Sequence, residues 1–353
     1  MLHLLAAEPA AVSHPFWLYA GFLAMVCVFL ALDLGVFHRK AHAVTFREAV
    51  AWTIVWIGSA MVFNVGVYFI YDTHWLGMGL NVPQVGGEVR NVGGFEAAQL
   101  FLTGYLVEKS LSMDNVFVMA VIFSFFAIPD RYQHRVLFWG ILTALVLRGV
   151  MIALGAALIH RFEWIVYVFG AILILGAVKM IFFKAEDVHP DKNPIVRLTR
   201  RFLTVTSEFD GQRFFTRNSP THPGVLAATP LFLALITIET ADVVFAVDSI
   251  PAIFAITADP FIVFTSNVFA ILGLRALYFC LAAMIRHFRY LGTALIGILL
   301  FVGVKMMLVH TTWKLEPMPA TMIVLALLAA GVAASLAFPS RVVEVEAVAA
   351  DEP

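Results

Sequence analysis

Five carboxylates lie inside two otherwise apolar stretches. Residues 236–256, ITIETADVVFAVDSIPAIFAI, carry Glu239, Asp242 and Asp248, followed by Pro251; VEKSLSMDN at 107–115 carries Glu108 and Asp114. An acid at the centre of a membrane helix costs roughly 2.5–3.5 kcal/mol on insertion scales. Five of them therefore mark a polar site. Neutral oxygens stand nearby at Ser110, Ser112, Asn115, Thr240, Ser249, Ser266 and Asn267, and Asp33 ends another apolar run. The deep bases are fewer: Lys109, Arg148 and Arg275. Surplus carboxylates with amide and hydroxyl oxygens suit a hard divalent cation such as Mn²⁺, Mg²⁺ or Ca²⁺. No deep His or Cys pair favours Zn²⁺ or Cu⁺.

Helix geometry limits how these acids combine. Glu239 and Asp242, three apart, share a face. Asp242 and Asp248, six apart, are separated on a straight helix by about 9 Å of rise and roughly 240° of rotation. One ion cannot take both. Either the helix unwinds near Asp248–Pro251, where the missing proline N–H frees the Val247 carbonyl, or the two aspartates serve separate points. Glu108 and Asp114 repeat the spacing. A purely structural use is the competing reading: Arg148 and Arg275 would pair with the acids and lock the bundle, and Ser266 and Asn267 would hydrogen-bond between helices.

The elements that position these residues are membrane spans. The chain has 353 residues, 61% hydrophobic and 13% charged, against about a quarter charged in soluble domains. Apolar runs near the ~20 residues that cross a 30 Å core recur at 16–37, 49–71, 97–127, 135–159, 164–183, 230–257, 261–285, 291–309 and 320–338. The fold class is thus an all-α polytopic membrane protein of about nine helices. Basic residues outside the spans divide fifteen to three between the two sides, which predicts an outer N-terminus and a cytoplasmic C-terminus. The N-terminus shows no cleavable signal pattern. Cys27 and Cys280 both fall in apolar spans. The outer loop 72–95 is glycine-rich and irregular; the loop 184–229 carries a basic cluster at Arg197, Arg200 and Arg201.

An internal duplication organises the chain. DNVF at 114–117 matches DVVF at 242–245, LVLRGV at 145–150 matches LGLRAL at 272–277, and GAVKMI at 176–181 matches GVKMML at 303–308. Offsets stay between about 126 and 128. With three spans per unit, the second copy enters from the opposite side, the inverted-repeat arrangement of many transporters, with a binding site near the midplane. The segments are then 1–96 (two spans and the outer loop), 97–183 (first repeat), 184–229 (cytoplasmic loop), 230–309 (second repeat) and 310–353 (last span and tail). Lys179 and Lys305 fall toward opposite faces and are expected to snorkel.

EKSLSMDNVFV at 108–118, YQHRVLFWG at 132–140, ETADVVFAVDSIPAIFAIT at 239–257, SNVFAILGLRALYF at 266–279 and GVKMM at 303–307 resemble the TerC family of bacterial integral membrane proteins, nearest its alkali-induced Alx branch. The resemblance runs from LDLGVFHRKAH at 32–42 to the eighth span. It implies a LysE-like transporter in the cytoplasmic membrane that exports Mn²⁺, with the ion carried by Glu108, Asp114, Asn115, Glu239, Asp242 and Asp248. Asp33, Arg148, Ser249, Ser266, Asn267 and Arg275 support that set. The family's name derives from tellurite resistance, but an oxyanion requires basic residues, so no direct tellurite contact is expected.

The expected activity is alternating-access export, with a proton as counter-ion carried by Asp248 or Glu108. The partners are lipid and the transported cation, with no nucleic acid and no cofactor. The oligomeric state is open. The alternative is a membrane scaffold in a metal-stress or protein-insertion complex. An intramembrane aspartyl enzyme fits poorly, since no nucleophile or substrate gate accompanies the acids. In cells, Asp114→Asn and Asp242→Asn at wild-type protein levels are expected to lose the lowering of cytoplasmic Mn²⁺. Two variants that still lower it would remove these acids from the site.

Overall fold

The computed structural model describes residues 16–35, 45–84, 88–162, 164–182, 194–217, 224–282, 290–313, 315 and 317–337. A helix stands at each expected span. The helices are α1 (Phe16–Gly35), α2 (Phe46–Asp72), α3 (Gly94–Phe125), α4 (Asp130–Arg161), α5 (Ile165–Phe182), α6 (Pro194–Phe202), α7 (Pro230–Ile256), α8 (Pro260–Leu272), α9 (Leu274–Ala282), α10 (Leu291–Met307) and α11 (Pro317–Ala337). Among the described residues, five segments are long and apolar enough to cross a membrane: Phe46–Asp72, Asp130–Ile159, Ile165–Phe182, Pro230–Ile256 and Pro260–Cys280. α3 is also long, but Glu108, Lys109 and Asp114 interrupt its apolar run.

Outward faces are apolar. Ile54, Val62, Val65 and Phe69 of α2 and Val146, Val150 and Leu154 of α4 are exposed, the surface expected of helices that face lipid. The core centres on α8, where every residue from Thr265 through Leu272 is buried. Phe22, Phe63, Phe101, Phe261 and Phe269 from four helices interlock there, with the Phe63 and Phe269 centroids 4.8 Å apart. Such edge and tilted contacts are the favourable arrangement of aromatic quadrupoles.

Helix pairing is reciprocal between the matched stretches of sequence. α3 packs on α8 as α7 packs on α4, while α3–α7 and α5–α10 each join a helix to the one that carries its matching motif. The α5–α10 contact is close because both sides carry glycine. A Cβ on Gly170 would stand 3.0 Å from the Gly303 carbonyl oxygen, and one on Gly303 3.0 Å from that of Gly170. Small residues let backbones approach where lipid supplies no hydrophobic drive for association.

Two expectations change. α7 is continuous through Pro251, so the helix does not unwind at Asp248. The break falls in the seventh span, at Gly273 between α8 and α9. There Lys109 Nζ donates to the Ala270 carbonyl at 3.2 Å, and a Cβ on Gly273 would lie 2.6 Å from that nitrogen. Lys305 does not simply snorkel either: its Nζ donates to the Ala255 carbonyl at the end of α7, at 2.9 Å. A cation on a helix C-terminal carbonyl satisfies an orphan acceptor and complements the dipole. Lys179 is exposed.

The loops are more ordered than their composition suggests. Between α2 and α3, Val82–Pro83 and Val89–Arg90 form a short antiparallel pair, β1 and β2. Gly79, at φ 78°, sits so close to the Val92 carbonyl that a Cβ would collide with it. In the loop before α7, β3 (Thr204–Val205) and β4 (Phe215–Thr216) both pair with β5 (Ala227–Ala228). α6 is amphipathic, with Val196 and Thr199 buried and Arg197 and Arg201 exposed. His38, His42 and the tail from residue 338 lie outside the described residues.

One contact that hydropathy does not reveal anchors α8. Asp259, fully buried, caps the helix: its Oδ1 accepts from the Phe261 and Ile262 N–H groups at 2.9 and 3.3 Å. The Tyr71 hydroxyl donates to Oδ2 at 2.6 Å. Tyr71→Phe is expected to lower stability by about 1.5–3 kcal/mol, the range for a hydrogen bond to a charged group. Thermal unfolding in detergent measures it, and an unchanged melting temperature would refute the anchor.

Candidate functional site

The acids do not converge on one point. Among the described residues, no group of three or more His, Cys, Asp or Glu side chains is arranged to hold a metal ion. What assembles instead is a mixed network from four helices. Glu108 and Asn115 come from α3, Arg148 from α4, Asp242 from α7 and Asn267 from α8. All five are at most 4% exposed.

Arg148 is the hub. Its Nε and Nη2 donate to Asp242 Oδ2 and Oδ1 at 3.2 and 2.9 Å, a two-point clamp. Its Nη1 is ion-paired with Glu108 Oε1 and lies 3.5 Å from Asn267 Oδ1. Asn267 Nδ2 in turn donates to Glu108 Oε2 at 3.1 Å. Asn115 Nδ2 reaches Asp242 Oδ1 at 3.4 Å, while its Oδ1 is buried without a hydrogen-bond partner. The planar guanidinium with five donors is suited to holding two carboxylates at once. Two acids and one arginine leave a formal charge of −1.

The remaining predicted residues are placed elsewhere. Glu239 lies over Gly140 of α4, where a Cβ would be 3.7 Å from Oε1, and beside Thr143. Both of its carboxylate oxygens are buried without partners of ordinary hydrogen-bond geometry. It borders a cavity of about 10 Å³ with Met119, Leu137, Asp242 and Arg275, space on the order of one water. Asp248 turns toward α5, with Oδ1 3.1 Å from where a Gly176 Cβ would stand and Lys179 as its neighbouring charge. Asp242 and Asp248 thus face different helices from a continuous α7. Ser266 bonds the Ile262 carbonyl at 2.7 Å and packs against Gly104. Ser249 Oγ is buried without a partner. Asp114 and Asp33 lie on α3 and α1, but their side chains are outside the described residues. Cys27 and Cys280 are free thiols.

The integral membrane protein TerC family profile matches residues 94–343, which includes the whole network. The chain belongs to the TerC family. It is 47% identical over 319 residues to an uncharacterized membrane protein of Myxococcus xanthus, covering 90% of this chain and 92% of that one. It is 46% identical over 293 residues to the putative membrane-bound redox modulator Alx of Escherichia coli K12, covering 83% and 86%. An uncharacterized membrane protein of Rickettsia felis is 39% identical over 289 residues, covering 82% and 87%. No solved structure matches.

The clamp and the isolated aspartate predict different costs. Asp242→Asn strips the two-point acceptor from Arg148, which keeps only Glu108 as its counter-charge, and is expected to cost about 1.5–3 kcal/mol, the range for hydrogen bonds to charged groups. Asp248→Asn removes only a partly exposed charge with Lys179 as its neighbour and is expected to cost under about 1 kcal/mol. Parallel unfolding of the two variants in detergent decides this, and equal losses would contradict the assignment of Arg148 as hub.

Proposed function

We propose that this TerC-family chain is a carrier rather than an enzyme, and that it exports a divalent cation, Mn²⁺ foremost, across the bacterial cytoplasmic membrane. The observation that carries the reading is the meeting of Glu108 and Asp242, one from each half of the duplication, with two amides deep in the bundle. Carboxylate and amide oxygens are the ligands of hard cations. The reciprocal packing of α3 on α8 and α7 on α4 supports two halves of inverted topology that rock about such a site. A nine-span chain with its N-terminus outside follows from the same reading and from the basic-residue asymmetry. Glu239 and Asp248, offset along α7, would mark successive points on the ion's path. A proton is the proposed counter-ion. The redox role in the name of the Alx relatives would then follow from metal balance.

The scaffold reading has one specific observation in its favour: the carboxylates are already paired with Arg148. Purified protein in sealed liposomes separates the two. A carrier should move Mn²⁺ down an imposed gradient at least about tenfold faster than protein-free liposomes, a difference equivalent to about 1.4 kcal/mol in barrier height. Folded protein with no flux above that background would leave the scaffold.

A further inference from the structure

We propose that Arg148 is a tethered stand-in for the cargo: its guanidinium occupies a cation site made by Glu108, Asp242 and Asn115, and a divalent cation binds by displacing it. The inference takes only the cargo's identity from the exporter reading; the displaceable site is argued from the geometry.

Three features of the cluster support it. Two buried carboxylates left without a cation would be strongly unfavourable. Arg148 removes that problem within one side chain, since it reaches both acids from a third helix. The second feature is the unpartnered oxygen. Asn115 is 3% exposed and touches Asp242 through Nδ2, yet its Oδ1 has no donor. The opposite amide orientation would set that oxygen against the carboxylate, so the observed one is favoured. An amide oxygen beside a carboxylate is a cation ligand that the guanidinium leaves unused.

The third feature is charge. With Arg148 in place the two acids and one arginine sum to −1, an excess of negative charge that draws a dication; the dication neutralises the two acids, and the guanidinium must withdraw from them because together they would sum to +1. The displaced guanidinium has a nearby acceptor in Asn267 Oδ1, 3.5 Å from Nη1. Arg148 thereby sets affinity: the cargo must compete with a resident cation, which keeps binding weak enough to release.

The test is Mn²⁺ binding to the purified full-length chain, followed by loss of the free aqueous Mn²⁺ signal in electron paramagnetic resonance. Arg148→Gln is expected to bind Mn²⁺ at least about tenfold tighter than wild type, and Arg148→Lys by an intermediate factor. Arg148→Gln combined with Asp242→Asn should lose the gain. Mn²⁺ should also raise the melting temperature of Arg148→Gln more than that of wild type, a rescue that a merely structural ion pair does not predict. If Arg148→Gln does not fold, Arg148→Lys decides alone. Variants that bind no tighter than wild type overturn the proposal. Tight binding in the variant with no wild-type flux would sink the exporter reading and keep this one; wild-type flux with no gain in binding would do the reverse.

Discussion

The clamp of Arg148 on Asp242 and Glu108 is the constraint on which the rest depends. It ties α3, α4 and α7 at one buried point, and Asn267 adds α8. Removing one member of such a buried pair costs several kcal/mol, because the partner charge is left in a medium that cannot solvate it. The helices around it therefore carry a charge pairing that fixes their register alongside the packing. Asn267 meets this network only because α8 lies almost wholly inside the bundle, and the interlocked phenylalanines fill the space around that buried helix.

Several other intramembrane polar groups are satisfied locally. Lys109 and Lys305 each donate to a carbonyl near a helix end, Ala270 and Ala255. Asp259 accepts from two helix N–H groups and a tyrosine. Helix ends inside a bilayer leave acceptors and donors that water would otherwise meet. Side-chain charges of the right sign meet them here, which explains how a span can break at Gly273 inside the bundle. Glu239, Asn115 Oδ1 and Ser249 Oγ are among the exceptions, with Thr103 Oγ1, Ser112 Oγ and the Tyr105 hydroxyl. Unsatisfied buried oxygens are where a ligand would find partners.

Much of the fold was legible in the chain. Apolar run length located the helices because backbone satisfaction in lipid leaves few alternatives to a helix. The matched motifs were legible because DNVF and DVVF, LVLRGV and LGLRAL, and the two lysine motifs kept their order and spacing. Asp242 and Glu108 stood out because acids are rare in such runs. Asp259 did not, since it sits in the short connection before α8 and looks like an ordinary loop residue until Tyr71 is brought to it. The continuity of α7 through Pro251 and the break at Gly273 were also illegible, because proline and glycine bias a helix without deciding it; neighbouring helices do that.

By itself the sequence determined the membrane class, the positions of the helices, the duplicated motifs and the acids that stand out, since these depend on local hydropathy and periodicity. Only tertiary structure decided how the acids are used. Arg148 and Asp242 are 94 residues apart in the chain, and Asn267 and Glu108 159 apart. Whether buried acids gather around an ion, pair with an arginine or face separate helices depends on which helices pack together. The packing gave Glu108 and Asp242 to Arg148, turned Glu239 toward α4 and set Asp248 against α5.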